Sequence, residues 1–285
     1  MKSRLLLYLR LIRIEKPIGY MLLMWPTLWG LWIAAEGWPG WMLFLIFTSG
    51  SILMHSAGCA INDFADRHFD RHVKRTKDRP LTAGEIAPWE AIVVALVLSF
   101  VSLLLILHLN TLVWCFAIAA LVFAMTYPWF KRFFAVPQAY LGIAFGFGIP
   151  MAFAAVHGTV PAIAWYLMLG NFFWTLAYDT EYAMVDKDDD LKIGIHSSAI
   201  TFGQFDVAAV MLSYVLMLLI LFMAGWHVGL RGWFVIGILG AALCVVFQYR
   251  LICTRDRMKC LLAFQRNNLI GLALFIGILL DYARY

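Results

Sequence analysis

Asn62-Asp63-Phe64-Ala65-Asp66-Arg67-His68-Phe69-Asp70 ends one long apolar run, and Asp179-Thr180-Glu181-Tyr182-Ala183-Met184-Val185-Asp186-Lys187-Asp188-Asp189-Asp190 ends another. A carboxylate in a membrane helix costs about 2.5–3.5 kcal/mol on insertion scales, so acids clustered twice at one depth require a compensating ligand. In the first string Asn62, Asp66 and Asp70 recur every four residues, and in the second Asp179, Asp186 and Asp190 recur at seven and then four. Either spacing keeps the side chains on one helical face. Two oxygen-rich faces opposed across a cavity suit a pair of Mg²⁺ ions, which favour one or two carboxylates plus substrate phosphate and water over a full protein cage.

Outward from these strings the chain is oily. Of its 285 residues 63% are hydrophobic and 14% charged, against about 25% charged in soluble domains, and the mean hydropathy is +0.82. The expected fold is an all-α integral membrane protein. Windows of about 20 apolar residues predict nine spans, at 17–35, 41–61, 89–109, 111–129, 137–156, 161–182, 206–225, 231–250 and 262–281. They follow one another closely, so residues 1–285 read as a single polytopic domain, a bundle around a cytoplasm-facing central cavity, with 1–16 as an interfacial N-terminal segment. Arg10 and Arg13 interrupt the first apolar stretch too early for a signal sequence. The acidic strings follow spans two and six, and each precedes a basic, glycine-containing segment, which suggests two parallel four-helix repeats with an extra ninth helix.

The basic residues give the orientation. On the nine-span reading 20 of the 22 Lys and Arg fall on one side, among them Lys2, Lys16, Arg71 and Lys187, leaving Arg231 and Arg284 opposite. The positive-inside rule then places the N-terminus and both acidic strings in the cytoplasm and Tyr285 on the far side. The net charge of +5 belongs to that face and speaks for anionic lipid and an anionic substrate rather than nucleic acid. The five cysteines lack disulfide or metal spacing and read as reduced bystanders.

If Mg²⁺ bridges the carboxylates, a diphosphate is the natural partner, because its oxygens complete the metal shell and the metal assists its departure. Arg79, Lys131 and Lys192 are the cations placed to grip it. A polyprenyl chain leaves a diphosphate as an allylic cation, which aromatic π faces can shield; Phe64, Tyr127, Tyr178 and Tyr182 lie close enough in sequence. Duller readings compete for several residues. Asp188 and Asp189 fall off the ligand face and read as solvated acids, Lys74, Arg75 and Lys77 as topology signals, and His68 with His72 lacks the further ligand zinc needs. The early tryptophans read as belt or packing residues. Carboxylates in a membrane also mark ion pathways, so a cation-coupled transporter is the alternative class.

These patterns resemble a known family. The string Asn62 to Asp70, the second with Asp179, Tyr182, Ala183, Asp186 and Asp190, and Tyr127 four residues before Lys131 are similar to the motifs of the intramembrane aromatic prenyltransferases. Arg13-Ile14-Glu15-Lys16-Pro17-Ile18-Gly19, Trp25-Pro26-Thr27-Leu28-Trp29, Tyr127-Pro128 and Lys131-Arg132 resemble the bacterial branch acting on 4-hydroxybenzoate in ubiquinone biosynthesis, in the inner membrane. The resemblance spans essentially the whole chain and implies roles. Asn62, Asp66, Asp70, Asp186 and Asp190 would hold Mg²⁺, with Asp179 in support and Lys131 on the diphosphate of a polyprenyl diphosphate. The ring carbon ortho to the hydroxyl of 4-hydroxybenzoate would attack the allylic cation, and Asp186 would accept the phenol or ring proton. Arg132 or Arg13 would hold the benzoate carboxylate beside Tyr127, a guanidinium fork matching it bidentately. Other aromatic acceptors remain open.

Overall fold

The computed structural model describes residues 3–284. Lys2, counted among the N-terminal basic residues, and Tyr285, expected on the far side, lie outside the described residues. The chain forms α1 (Arg4–Leu11), α2 (Pro17–Ala34), α3 (Trp41–Asp66), α4 (Pro88–Ile106), α5 (Thr111–Phe130), α6 (Pro137–Gly146), α7 (Gly148–His157), α8 (Ala162–Ile193), α9 (Ser198–Phe202), α10 (Asp206–His227), α11 (Gly232–Ile252) and α12 (Arg257–Tyr282). Among the described residues there is no strand.

Among the described residues seven segments are long and apolar enough to cross a bilayer: α3, α4, α5, α6 with α7, α9 with α10, α11 and α12. The protein is therefore an integral membrane protein. Two further long helices, α2 and α8, fall outside those seven, and much of each is enclosed by protein. Every residue of α2 from Trp25 to Ala34 is buried, and α8 buries Thr180, which bonds Ser198, and Glu181, which accepts from Tyr214 and Asn267. A helix enclosed by protein can carry groups that neighbouring helices satisfy, where a lipid-facing one cannot. Accordingly Trp29 Nε1 donates to the Gly271 carbonyl at 3.2 Å and Trp174 Nε1 to Asn267 Oδ1 at 2.9 Å.

Several local signals set the breaks. Asn110 caps α5 by accepting from the Val113 amide at 3.1 Å, and Asp256 caps α12 through the Lys259 amide at 2.9 Å. The passage α6–α7 is interrupted at Phe147, where Pro150 has no N–H for the Gly146 carbonyl. Gly148 just beyond lets α7 press on α2, since a Cβ there would lie 2.1 Å from Thr27 Oγ1.

Packing closes the helices into a ring: α2 on α3, α3 on α5, α5 on α6, α6 on α8, α8 on α12 and α12 on α2. Outside it α4 leans on α3, α10 on α8 and α11 on α12. Although consecutive, α4 and α5 are not packed against each other along their lengths. The main core cluster lies among α2, α7, α8, α10, α11 and α12, with Trp29, Trp174 and Tyr214 essentially inaccessible. The opposite half of the ring surrounds a cavity instead.

Candidate active site

Helix α3 ends on Asn62 and Asp66, and Asp70 follows on a single 3-10 turn, Asp70–His72, so the four-residue spacing survives the end of the α-helix. Helix α8 runs without a break through Asp179, Asp186 and Asp190. All six side chains line one cavity of about 1210 Å³. The two acidic faces thus meet at one cavity.

Cations hold the acids in place. Lys131, the residue after α5, sets its Nζ 3.2 Å from both Asn62 Oδ1 and Asp66 Oδ2, and 5.1 Å from the centre of the Tyr127 ring. Tyr127 donates to Asp179 at 3.4 Å. Arg79 bonds Asp70 at 2.8 Å and Asp63 at 3.0 Å, while Arg13 reaches Asp63 at 2.5 Å. Opposite, Arg75 grips Asp186 through Nε at 3.0 Å and Nη2 at 2.5 Å and lies 4.5 Å over the Tyr182 ring. Burial raises the Asp70 carboxyl above its ordinary value, with Arg79 opposing and Asp63 and Asp66 adding to the rise. Low dielectric penalises a carboxylate packed among other carboxylates, which is a setting that favours added positive charge.

The donor set fits Mg²⁺. It consists of hard oxygens from two walls, and among the described residues no three His, Cys, Asp or Glu side chains converge closely enough to hold an ion alone. Hard oxygens of this kind suit a divalent cation that takes its remaining ligands from substrate and water.

Some expected residues fall elsewhere. Lys192 is exposed and absent from the cavity wall. Arg132 is also outside the wall, its guanidinium donating to the Ala65 carbonyl at 3.0 Å and stacked 5.4 Å from the Phe69 ring. Phe64 likewise lies off the wall and carries Arg67 on its face at 4.5 Å, whereas Tyr127, Tyr178 and Tyr182 line it. Asp188 is exposed as expected. Asp189 corrects the solvated reading: it is buried and bonds Arg257 at 2.6 Å and the Lys74 amide at 3.5 Å.

Three residues of the charge network around the acids have no part in the site in the sequence reading. Asp63 sits one residue off the ligand face and is committed to two arginines. Arg75 is inside the cavity rather than only a topology signal. Arg257 arrives from α12, 3.3 Å from Asp186. Only Asp63 has a local signal, its place beside Asn62; the two arginines depend on long-range folding.

A profile of the UbiA prenyltransferase family matches residues 23–275. A 4-hydroxybenzoate octaprenyltransferase of Janthinobacterium sp. (strain Marseille) is 60% identical over 280 residues, covering 98% of this chain and 99% of the relative. One of the same name from Herminiimonas arsenicoxydans is also 60% identical, with the same coverage. Among solved structures, the apo form of a UbiA homolog from Aeropyrum pernix K1 superimposes with a TM-score of 0.81 at 23% identity, covering 93% of this chain and 98% of that one. A UbiA homolog from Archaeoglobus fulgidus bound to GPP and Mg²⁺ gives 0.68 at 17% identity, covering 94% and 99%.

Proposed function

The chain belongs to the UbiA prenyltransferase family, and from that premise we propose that it moves a polyprenyl group from polyprenyl diphosphate to the ring carbon ortho to the hydroxyl of 4-hydroxybenzoate, in ubiquinone biosynthesis. Relatives 60% identical over nearly the full length are named 4-hydroxybenzoate octaprenyltransferase. The observation that carries the reading is that one cavity joins two acidic walls to an oily channel. From Asp66 the cavity follows α3 down to Ile46, about 20 residues or roughly 30 Å of helix. Leu103 of α4 and Ile118 and Leu121 of α5 line its far part, beside the seam where those helices do not pack. An ionic head and an isoprenoid tail are accommodated together, and a tail longer than the channel can pass through the seam into lipid.

In this reading Asn62, Asp66, Asp70, Asp186 and Asp190 hold Mg²⁺, with Asp179 supporting through Tyr127. Mg²⁺ held there would supply positive charge against the departing diphosphate. Lys131, Arg75 and Arg79 donate to diphosphate oxygens. The rings of Tyr127, Tyr178 and Tyr182 shield the allylic cation from water, and Asp186 receives the proton lost by the acceptor. Arg13 holds the benzoate carboxylate, since it is in the cavity and Arg132 is not. Two anions a few ångströms apart at low dielectric repel by several kcal/mol, so the acceptor needs that cation.

The membrane topology proposed is nine passes, with α2 and α8 joining the seven apolar segments. The N-terminus and the acidic site then face the cytoplasm of the bacterial inner membrane, supported by the basic residues crowded at that end.

The test is diphosphate release by purified protein given a polyprenyl diphosphate and a panel of aromatic acceptors. Release and prenylated product that depend on 4-hydroxybenzoate support the reading. Product only with a naphthoate or homogentisate would change the acceptor. Cation flux in proteoliposomes without any diphosphate release would overturn the enzyme.

A further inference from the structure

Arg13 has a backbone that arginine rarely adopts, with φ of 55°. It follows α1 in a Schellman ending: the Arg13 amide bonds the Arg10 carbonyl at 3.3 Å and the Ile14 amide bonds the Leu9 carbonyl at 3.3 Å. The left-handed position of that motif usually takes glycine, because a Cβ there is strained. Strain retained at a residue whose side chain enters a ligand cavity points to function. Asp63 holds the guanidinium at 2.5 Å, and the seat of α1 sets where the backbone of residue 13 lies.

The seat is well defined. Leu7 and Leu11 pack among Ala57, Ala60, Leu81 and Ile86. Arg10 donates to the Asp78 carbonyl at 3.2 Å. At the outer end Glu90, buried in the first turn of α4, accepts from Arg4 Nη1 at 3.1 Å on both oxygens and from the Tyr8 hydroxyl. It also accepts from the Ala87 amide at 2.8 Å, which caps α4. Glu90 is not on the cavity wall. A buried carboxylate away from the site thus gathers two side chains of the helix that delivers Arg13.

We infer that α1 is an arm that carries Arg13 to the acceptor, and that Glu90 is a positioning residue for acceptor binding, acting through Tyr8 and Arg4. This rests on the reading that Arg13 holds the acceptor carboxylate. Gln at position 90 keeps an oxygen for the Ala87 amide while removing the charge that grips Arg4, so the cap survives and the grip does not.

The experiment is steady-state kinetics of the full chain as wild type, Glu90→Gln, Arg13→Ala and the double variant, varying each substrate in turn. Glu90→Gln is expected to raise KM for 4-hydroxybenzoate about three- to fivefold, the size of losing an ion pair with a partner as exposed as Arg4. KM for polyprenyl diphosphate and kcat stay close to wild type, and the double variant matches Arg13→Ala alone, because coupled residues are not additive. A general structural role would move both KM values or give additive losses, and either result overturns the inference. If Arg13→Ala raises the acceptor KM and Glu90→Gln does not, the arm fails while the acceptor reading stands. If Arg13→Ala leaves the acceptor KM unchanged, both fail. Should Glu90→Gln not fold, Tyr8→Phe removes one hydroxyl from the same grip and is judged by the same outcomes.

Discussion

Lys131→Met separates binding of the diphosphate from binding of the acceptor. Methionine is similar in length and apolar, so the change removes a charge and little volume. In the structure Nζ sits 3.2 Å from Asn62 and Asp66 on the first acidic wall, inside the cavity. A diphosphate seated between the walls takes a charge-assisted hydrogen bond from it, worth about 1.5–3 kcal/mol. At about 1.4 kcal/mol per factor of ten, kcat/KM for polyprenyl diphosphate should fall by roughly 10- to 150-fold. Direct Coulomb attraction at an effective dielectric of about 20 sets an upper limit near 4 kcal/mol. Stability should fall as well, since Asp66 is buried and removing one partner of a buried pair costs about 3–5 kcal/mol, so the kinetics are read at a temperature where the variant is folded. The assay is diphosphate release from purified protein, each substrate varied with the other saturating, beside a thermal unfolding curve. A change under about threefold in kcat/KM for the prenyl substrate, or an equal rise in the acceptor KM, would refute the assignment of Lys131 to the diphosphate.

Three other outcomes follow from the same geometry. Asp66→Ala and Asp186→Ala should each abolish turnover in protein that still inserts, and excess EDTA should do the same to wild type, whereas Asp188→Asn, altering an exposed acid, should leave it nearly intact; full activity in EDTA would sink the metal assignment. Ser99→Trp places a large side chain on the channel wall beside α3 and α5, so turnover of a long polyprenyl diphosphate should drop while geranyl diphosphate is still used; an equal effect on both would mean that the tail lies elsewhere. Arg13→Gly should unfold at higher temperature than Arg13→Ala, by about 1 kcal/mol of relieved left-handed strain, with the two equally poor in 4-hydroxybenzoate binding; equal stability would show that the turn relaxes without glycine.

The sequence by itself determined the class of the protein and the makings of its site. Apolar runs require a membrane, and in a membrane only helices or closed barrels satisfy the backbone, so the helical bundle follows from composition and run length. That Asn62, Asp66 and Asp70 share one face was also legible, because it depends only on local helical spacing, and the 3-10 turn after Asp66 does not disturb it. Partners brought from distant parts of the chain could be decided only by the tertiary structure. Asp186 takes Arg75 from a loop and Arg257 from α12, and nothing in either segment distinguishes those arginines from the topology signals around them. Asp189 reads as solvated because a helical wheel shows the face it avoids and not the residue that meets it, which is Arg257. Arg13 and Arg132 are alike in sequence, both basic and both near a span. Burial separates them, since the strained turn after α1 sends Arg13 into the cavity while the Ala65 carbonyl holds Arg132 outside it. Helical periodicity acts over a few residues and is written locally, whereas which charge meets which across the bundle depends on how whole helices pack.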